Sequence, residues 1–328
     1  MASAEARLAA VEERVRARLT RLAASDRPIV AGPWTGEVGF ELVYWIPFLQ
    51  WAVEAFAIDR RRVIAVSRGG VRSWYRQVAA DYADVFEHVS PERFHAATPL
   101  KKQIGVGRFD RAVARDVMRS RGIARTHLLP PALMYRLYKA LWRLDPSGRG
   151  FDAFARSARI APEADEAVAT LPRDYVAMRF YFSTSFPDTP ENRAFAADAI
   201  ADVADRHPVV LLNNDIVLDD HRDFAGGARD RVRTVAGMRP ETNLATQTAV
   251  IARARAFVGT YGGYSYLAPL CGVPSVAYYS ATAFKRHHLD RAQRMFAALG
   301  EATVQPHDVA AGELPGPLLD GLRPAIAS

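Results

Sequence analysis

The chain has 328 residues, 49% hydrophobic and 24% charged, which excludes a disordered protein and allows two domains of ordinary size. Its formal net charge of +7 comes almost wholly from arginine, since lysine occurs only at Lys101, Lys102, Lys139 and Lys285. Arginine suits bidentate contacts to phosphate, so the excess fits an anionic ligand, an anionic lipid or nucleic acid.

Nucleic acid is the weakest of the three, because the aromatics are not interleaved with basic residues along a strand face. The lone Cys271 excludes an intramolecular disulfide and a cysteine-rich metal site. No apolar run reaches membrane-spanning length, and the start, MASAEARLAAVEERVRARL, is a charged amphipathic helix rather than a secretory signal. These features point to a soluble cytoplasmic protein whose basic residues leave a peripheral membrane contact open.

In chain order, an outlying helix over 5–25 (segment 1–26) precedes a strand at Pro28–Ala31 and the turn Gly32-Pro33-Trp34-Thr35-Gly36. A long apolar helix, Glu37–Ile58, comes next; Pro47 leaves the carbonyl of Val43 without its helical donor and should bend it. Then come a strand Arg62–Ser67, a helix Val71–Tyr82 and a strand Val85–Val89. The alternation predicts a parallel sheet with helices on both faces. Residues 99–107 read as a loop, and Arg108–Arg121 and Ala132–Leu144 as helices.

Asp145–Gly150 (DPSGRG) reads as a linker, which closes a first domain at 27–150. Helical material over Phe151–Thr170 then leads into a second series of strands at Tyr175–Phe180, Val209–Asn213, Val232–Val235, Ala256–Gly259 and Ser275–Tyr279, with a sixth at Thr303–Gln305. Helices Glu191–Arg206, Leu244–Ala254, Tyr264–Cys271 and His287–Leu299 separate them. The second domain spans 151–306, and the tail, 307–328, packs back as a helix weakened by glycine and proline. The expected fold is α/β, with two Rossmann-like domains whose parallel sheets face a central cleft, and a ligand beyond the carboxyl ends of the strands.

Ala252–Ser280 (ARARAFVGTYGGYSYLAPLCGVPSVAYYS) is the most informative stretch. Two uniformly apolar strands flank a glycine-bearing turn and a helix, as in a sheet covered on both faces. Gly262 and Gly263 let a ligand approach the backbone, the unpaired N–H groups of the following helix, which starts at Tyr264 and Ser265, would face outward, ready for phosphate, and Thr260 and Tyr261 complete the donor-binding turn. A glycine turn that merely connects strand to helix is the equal alternative. Arg179 ends an apolar strand, where it can clamp a diphosphate or form a salt bridge. Asn214 lines the same edge or forms an Asx turn. Glu241 precedes a helix with Asn243 as its N-cap, and Lys285 lies in a basic loop after the last core strand.

In the first half, Glu37 and Glu41 share one helix face. Glu37, right after the glycine turn, is the candidate general base; helix-start electrostatics is its other role. Glu41 lies at the start of an all-apolar stretch and needs partners or a raised pKa; it is either a second catalytic carboxylate or a structural tie to an arginine. No histidine pair has metal-motif spacing, Asp219-Asp220 lacks further ligands, and nucleophile-elbow and phosphate-loop motifs are absent.

NLATQTAVIARARAFVGTYGGYSYLAPLCGVPSVAYYS, from Asn243 to Ser280, resembles the donor-half signature of GT-B-fold glycosyltransferases, closest to the heptosyltransferase and fucosyltransferase groups of polysaccharide biosynthesis. Arg179 is similar to the phosphate-binding arginine of fucosyltransferase-like members, and Glu37 occupies the acidic position that follows glycine in heptosyltransferase-like enzymes. Thr260-Tyr261-Gly262-Gly263 departs from the usual acidic or serine-rich turn, and glutamate replaces the commoner aspartate. The resemblance implies inverting, metal-independent transfer of a sugar from a nucleoside-diphosphate donor to a saccharide, lipid-linked or other hydroxyl acceptor, with no cofactor beyond the nucleotide sugar. A non-catalytic nucleotide-sugar-binding subunit of polysaccharide assembly and a pyruvyl-type transferase on a similar scaffold are the rivals.

Overall fold

The structure, a computed structural model, describes residues 3–98, 103–213, 216, 221–224, 226, 230–235, 237–280 and 285–320. Asn214, Asp215, Asp219, Asp220, the start of the 99–107 loop and the end of the tail lie outside them. The chain divides into two compact units, Met1–Ala158 and Arg159–Ser328.

Unit 1 holds four parallel strands: β1 (Ile29–Ala31), β2 (Val63–Ser67), β3 (Asp81–Asp84) and β4 (His127–Leu129). Their order is β3-β2-β1-β4. The chain steps outward from β1 to β3 and then returns to the far side of β1, so its direction of winding reverses between β1 and β4. All residues of β1 and β2 are buried, as helices on both faces require. The N-terminal helix Ala4–Ala23 is capped by Ser3, whose hydroxyl accepts the Ala6 N–H, and it packs on the helix Pro131–Leu144.

Four expectations, the last of which runs into unit 2, need correction. The helix predicted over Glu37–Ile58 is broken by its own sequence into Val38–Phe40, a widened π-helical turn Glu41–Trp45, and Ile46–Ala55. Pro47 offers no N–H, and the backbone before it takes up an extra residue, so that the Ile46 N–H reaches the Glu41 carbonyl five residues back. The helix predicted over Val71–Tyr82 is a short 3-10 turn, Val71–Tyr75, and the strand lies at Asp81–Asp84 instead of Val85–Val89. Asp84 decides this: its carboxylate accepts the backbone N–H groups of Gly70 and Phe86 (2.7 and 2.9 Å) and the Tyr82 hydroxyl (2.9 Å), which ends the strand and starts the turn Val85–Glu87. Helical material over Phe151–Thr170 is confined to Arg149–Phe154 and Glu166–Ala169. Strand β4, three residues long, is too short to show a period.

Unit 2 carries β5 (Val176–Arg179), β6 (Tyr181–Phe182), β7 (Val209–Leu211), β8 (Arg222–Asp223), β9 (Val232–Thr234), β10 (Ala256–Thr260), β11 (Ser275–Tyr279) and β12 (Val304–Asp308). Six form a wholly parallel sheet in the order β12-β11-β10-β5-β7-β9, while β6 and β8 pair as an antiparallel ribbon. Here the winding reverses between β5 and β10. One face of the sheet presents Val176, Met178, Val258, Val276 and Tyr278 to Phe195, Ile200 and Val203 of the helix Pro190–Arg206. Among the described residues no helix is long and apolar enough to cross a membrane.

At the β5–β10 seam Gly259 pairs with Arg179, and a Cβ on Gly259 would stand 2.0 Å from the Arg179 carbonyl oxygen. Backbone cannot retreat as a flexible side chain can. Gly259→Ala should therefore cost roughly 3 kcal/mol of unfolding free energy, measured by circular dichroism in urea. Gly105→Ala, with nothing within 4 Å of the added carbon, should change it by less than about 0.5 kcal/mol.

Candidate functional site

Because the strands of each sheet are parallel, their carboxyl ends share one edge, and the point where winding reverses opens a gap between diverging connections. In unit 2 this edge gathers most of the sequence-predicted donor residues. Arg179 is the last residue of β5, Thr260 the last of β10, and Gly262 the N-cap of the helix Gly263–Leu270. Glu241 lies, half-buried, between β9 and the helix Asn243–Ala252, and exposed Lys285 is the N-cap of Arg286–Leu299.

Several of these side chains are committed to building the edge. The Thr260 hydroxyl is fully buried; it accepts the Tyr181 N–H (3.0 Å) and donates to the Tyr181 carbonyl (2.9 Å). Ser265, also buried, accepts the Gly262 N–H (3.1 Å) and donates to the Gly262 carbonyl (2.7 Å), which closes the turn. Tyr261 hydrogen-bonds Tyr266 hydroxyl to hydroxyl. Thr260, Tyr261 and Ser265 thus shape the cradle from behind, and their side chains are not presented to a ligand. Gly262 is glycine for a local reason: a Cβ there would lie 1.9 Å from the Tyr181 hydroxyl oxygen. The helix N-cap is Thr242, not Asn243 as the sequence suggests. Asn243 instead donates to the Pro240 carbonyl (2.8 Å) and accepts from Gln247 (3.3 Å).

Arg179 is buried and engaged. Nε and Nη2 donate to the two carboxylate oxygens of Asp223 at 2.9 and 3.3 Å, and Nη1 donates to Gln247 Oε1 at 2.7 Å. The ring of Tyr264 lies 4.3 Å from the guanidinium carbon. Sequence reasoning allowed Arg179 an ion pair without naming Asp223, which arrives on β8 from a stretch with no periodic signal.

In unit 1 the corresponding edge is the turn after β1. The Gly32 N–H donates to the Leu129 carbonyl (3.0 Å) and the Trp34 N–H to the Val66 carbonyl (2.8 Å), so the turn is stitched to β4 and β2. A Cβ on Gly32 would meet the Val66 oxygen at 2.4 Å, and its φ of +127° also favours glycine. Glu37 is the half-buried N-cap of Val38–Phe40, and its side chain makes no capping hydrogen bond.

Glu41 behaves differently and is corrected here. Its carboxylate is wholly enclosed, with Ser67 and Tyr75 both donating to Oε1 at 2.5 Å and Arg68 Nη1 at 3.7 Å from Oε2. A substrate hydroxyl cannot reach it, and the structural tie to an arginine is what the fold uses. Arg68 also donates to the Gly36 carbonyl at 2.6 Å, immediately before Glu37. Among the described residues no three histidine, cysteine, aspartate or glutamate side chains gather as metal ligands.

No protein-family model matches the chain, and no curated protein matches it. Among solved structures it is similar to a glycosyl transferase family 9 protein from Veillonella parvula (12% identity, 91% of this chain and 90% of that one, TM-score 0.47). It is also similar to the E. coli ADP-heptose LPS heptosyltransferase II (12% identity, 90% and 96%, TM-score 0.47). The E. coli heptosyltransferase WaaC, solved with ADP, matches at 14% identity over 91% and 94% with a TM-score of 0.39.

Burial pushes the Glu41 carboxyl up to about 6 from 4.5, against the lowering pull of Arg68, Ser67 and Tyr75. The folded state therefore holds this proton to higher pH than the unfolded chain does. Stability from this group is greatest below pH 4.5 and is lost as pH rises through 6. All five tryptophans, Trp34, Trp45, Trp51, Trp74 and Trp142, lie in unit 1, so their fluorescence follows its unfolding. The stability difference between the native chain and Glu41→Gln should shift by about 2 kcal/mol against the native chain between pH 4.5 and about pH 7. A pH-independent difference would show that Glu41 does not titrate in this window.

Proposed function

We propose that the chain is a glycosyltransferase that moves a sugar from a nucleoside-diphosphate donor to a hydroxyl acceptor, with inversion and without a metal. The observation that carries this is the β5–β10 reversal in unit 2, where Arg179 and the Gly262–Gly263 helix start leave adjacent strands at one sheet edge. Open parallel sheets take ligands at such points, and backbone N–H groups at a helix start favour phosphate. The likeness of Asn243–Ser280 to a donor-half signature supports the same assignment.

In the proposed reaction the acceptor hydroxyl gives its proton to the Glu37 carboxylate as its oxygen bonds to the anomeric carbon. The bond from that carbon to the diphosphate breaks, and the diphosphate leaves with the electron pair. The amides at the start of Gly263–Leu270, Lys285 and Arg179 stabilise that charge, a task a divalent cation performs elsewhere. Glu241 serves the ribose hydroxyls. The setting is the cytoplasm, where nucleotide sugars are the donors and a membrane-bound acceptor would be met at the inner face.

Two measurements test this. A panel of nucleoside diphosphates and their sugar conjugates should contain a member that raises the melting temperature; a ligand at a hundred times its Kd adds about 2.7 kcal/mol. With that donor, Glu37→Gln should lower acceptor-dependent kcat by about a hundredfold or more while leaving donor affinity unchanged. Full turnover by the variant would remove Glu37 as base. Donor binding without any acceptor-dependent turnover would identify a nucleotide-sugar-binding subunit instead.

A further inference from the structure

The groups around Arg179 determine what an anion meets at the end of β5. A guanidinium has five N–H donors in one plane, and three of Arg179's are taken by Asp223 and Gln247. Asp223 holds the bidentate edge formed by Nε and Nη2, the geometry a phosphate would also choose. The rings of Tyr264 and Tyr181 lie near the guanidinium carbon, at 4.3 and 5.8 Å. Arg179 and Asp223 are each only about one-tenth exposed (10% and 13%), so solvent ions screen the pair little. An approaching anion thus meets a dipole of nearly cancelled charge, not a full cation.

We propose that Asp223 is a resident counter-anion that sets the specificity of this site. It weakens the grip of Arg179 on a free nucleoside diphosphate more than on the sugar-bearing donor. The inference rests on the nucleotide-sugar function given above. Its physical basis is charge: a free diphosphate terminus carries roughly one more negative charge at neutral pH than one esterified to a sugar. A carboxylate beside the site repels the more charged species more. In a transferase this favours departure of the diphosphate product over loss of the donor.

The test is calorimetric titration of the native chain and Asp223→Asn with ADP, GDP and UDP, and with ADP-glucose, GDP-mannose and UDP-glucose. Asparagine keeps an oxygen for the Arg179 Nε–H and removes the charge; Asp223→Ser, which also lacks the charge, guards against a misfolded first variant. The diphosphate that binds the native chain should bind Asp223→Asn about tenfold tighter, with a smaller gain for its sugar conjugate. The gain should persist at about 0.5 M salt, because the site is little screened, and in an Arg179→Gln background, where the carboxylate still repels the ligand directly. A purely structural Asp223 would give the opposite sign, because losing it would loosen Arg179. Equal or weaker binding by both variants overturns the proposal while leaving the function standing if the native chain binds. Absence of binding by every chain overturns both.

Discussion

The backbone of Arg179 and the missing side chain of Gly259 meet where β5 and β10 pair, and the arrangement of unit 2 depends on that contact. Only a residue without Cβ lets the two strands run in register to their ends, since any side-chain carbon would fall 2.0 Å from the Arg179 carbonyl oxygen. Register then carries forward. Thr260 ends β10 opposite the start of the next segment and ties both its donor and acceptor to Tyr181. Tyr181 in turn places its hydroxyl against position 262, where an added Cβ would require the phenol to shift. A chain of close approaches leads from the buried sheet to the helix start at Gly263. A glycine turn built to bring backbone amides to the surface and one built only to connect strand to helix look alike in sequence. This one lies at the winding reversal between β5 and β10.

Charge is handled at both sheet edges by the same device. Arg68 follows β2 and Arg179 ends β5, and each is buried against a carboxylate, Glu41 and Asp223 respectively. Removing a cation and an anion from water together costs far less than burying either alone, yet such pairs seldom add much net stability. Their value is orientation: each arginine is fixed and also donates to a third group, the Gly36 carbonyl or Gln247. The net charge of +7 therefore does not measure the charge at either edge. Part of the excess sits on outward-facing arginines such as Arg108, Arg111 and Arg115. Composition counts both buried arginines in full, although each stands beside a carboxylate that offsets part of its charge.

What was legible in sequence was what a period or an uninterrupted apolar run could carry. Ala256–Thr260, Gly263–Leu270 and Ser275–Tyr279 lie within a residue of where the pattern puts them, because doubly covered strands cannot tolerate polar residues. Strands β3 and β4 were not legible: one is an edge strand carrying aspartate at both ends, the other three residues long. The π-helical turn at Glu41–Trp45 arises from a single proline's missing N–H, a consequence the sequence announced as a bend but whose form depends on where the extra residue goes. Asp223 was invisible because its role is defined by a partner 44 positions away in the chain.

The two glutamates of unit 1 show how spacing alone misleads. Four residues apart, they share a helix face in any regular helix, which left Glu41 open as a second catalytic carboxylate beside Glu37. The fold gives them different environments. Glu41 Oε1 accepts two hydroxyl donors and Oε2 faces Arg68, so the carboxylate is enclosed by its partners. Glu37 sits at the helix start, only partly covered. The two are nevertheless mechanically joined, because Arg68 spans from the Glu41 carboxylate to the Gly36 carbonyl, one residue before Glu37. Arg68 thus ties the buried Glu41 carboxylate to the backbone of the turn that ends at Gly36, and two carboxylates four residues apart serve different surroundings.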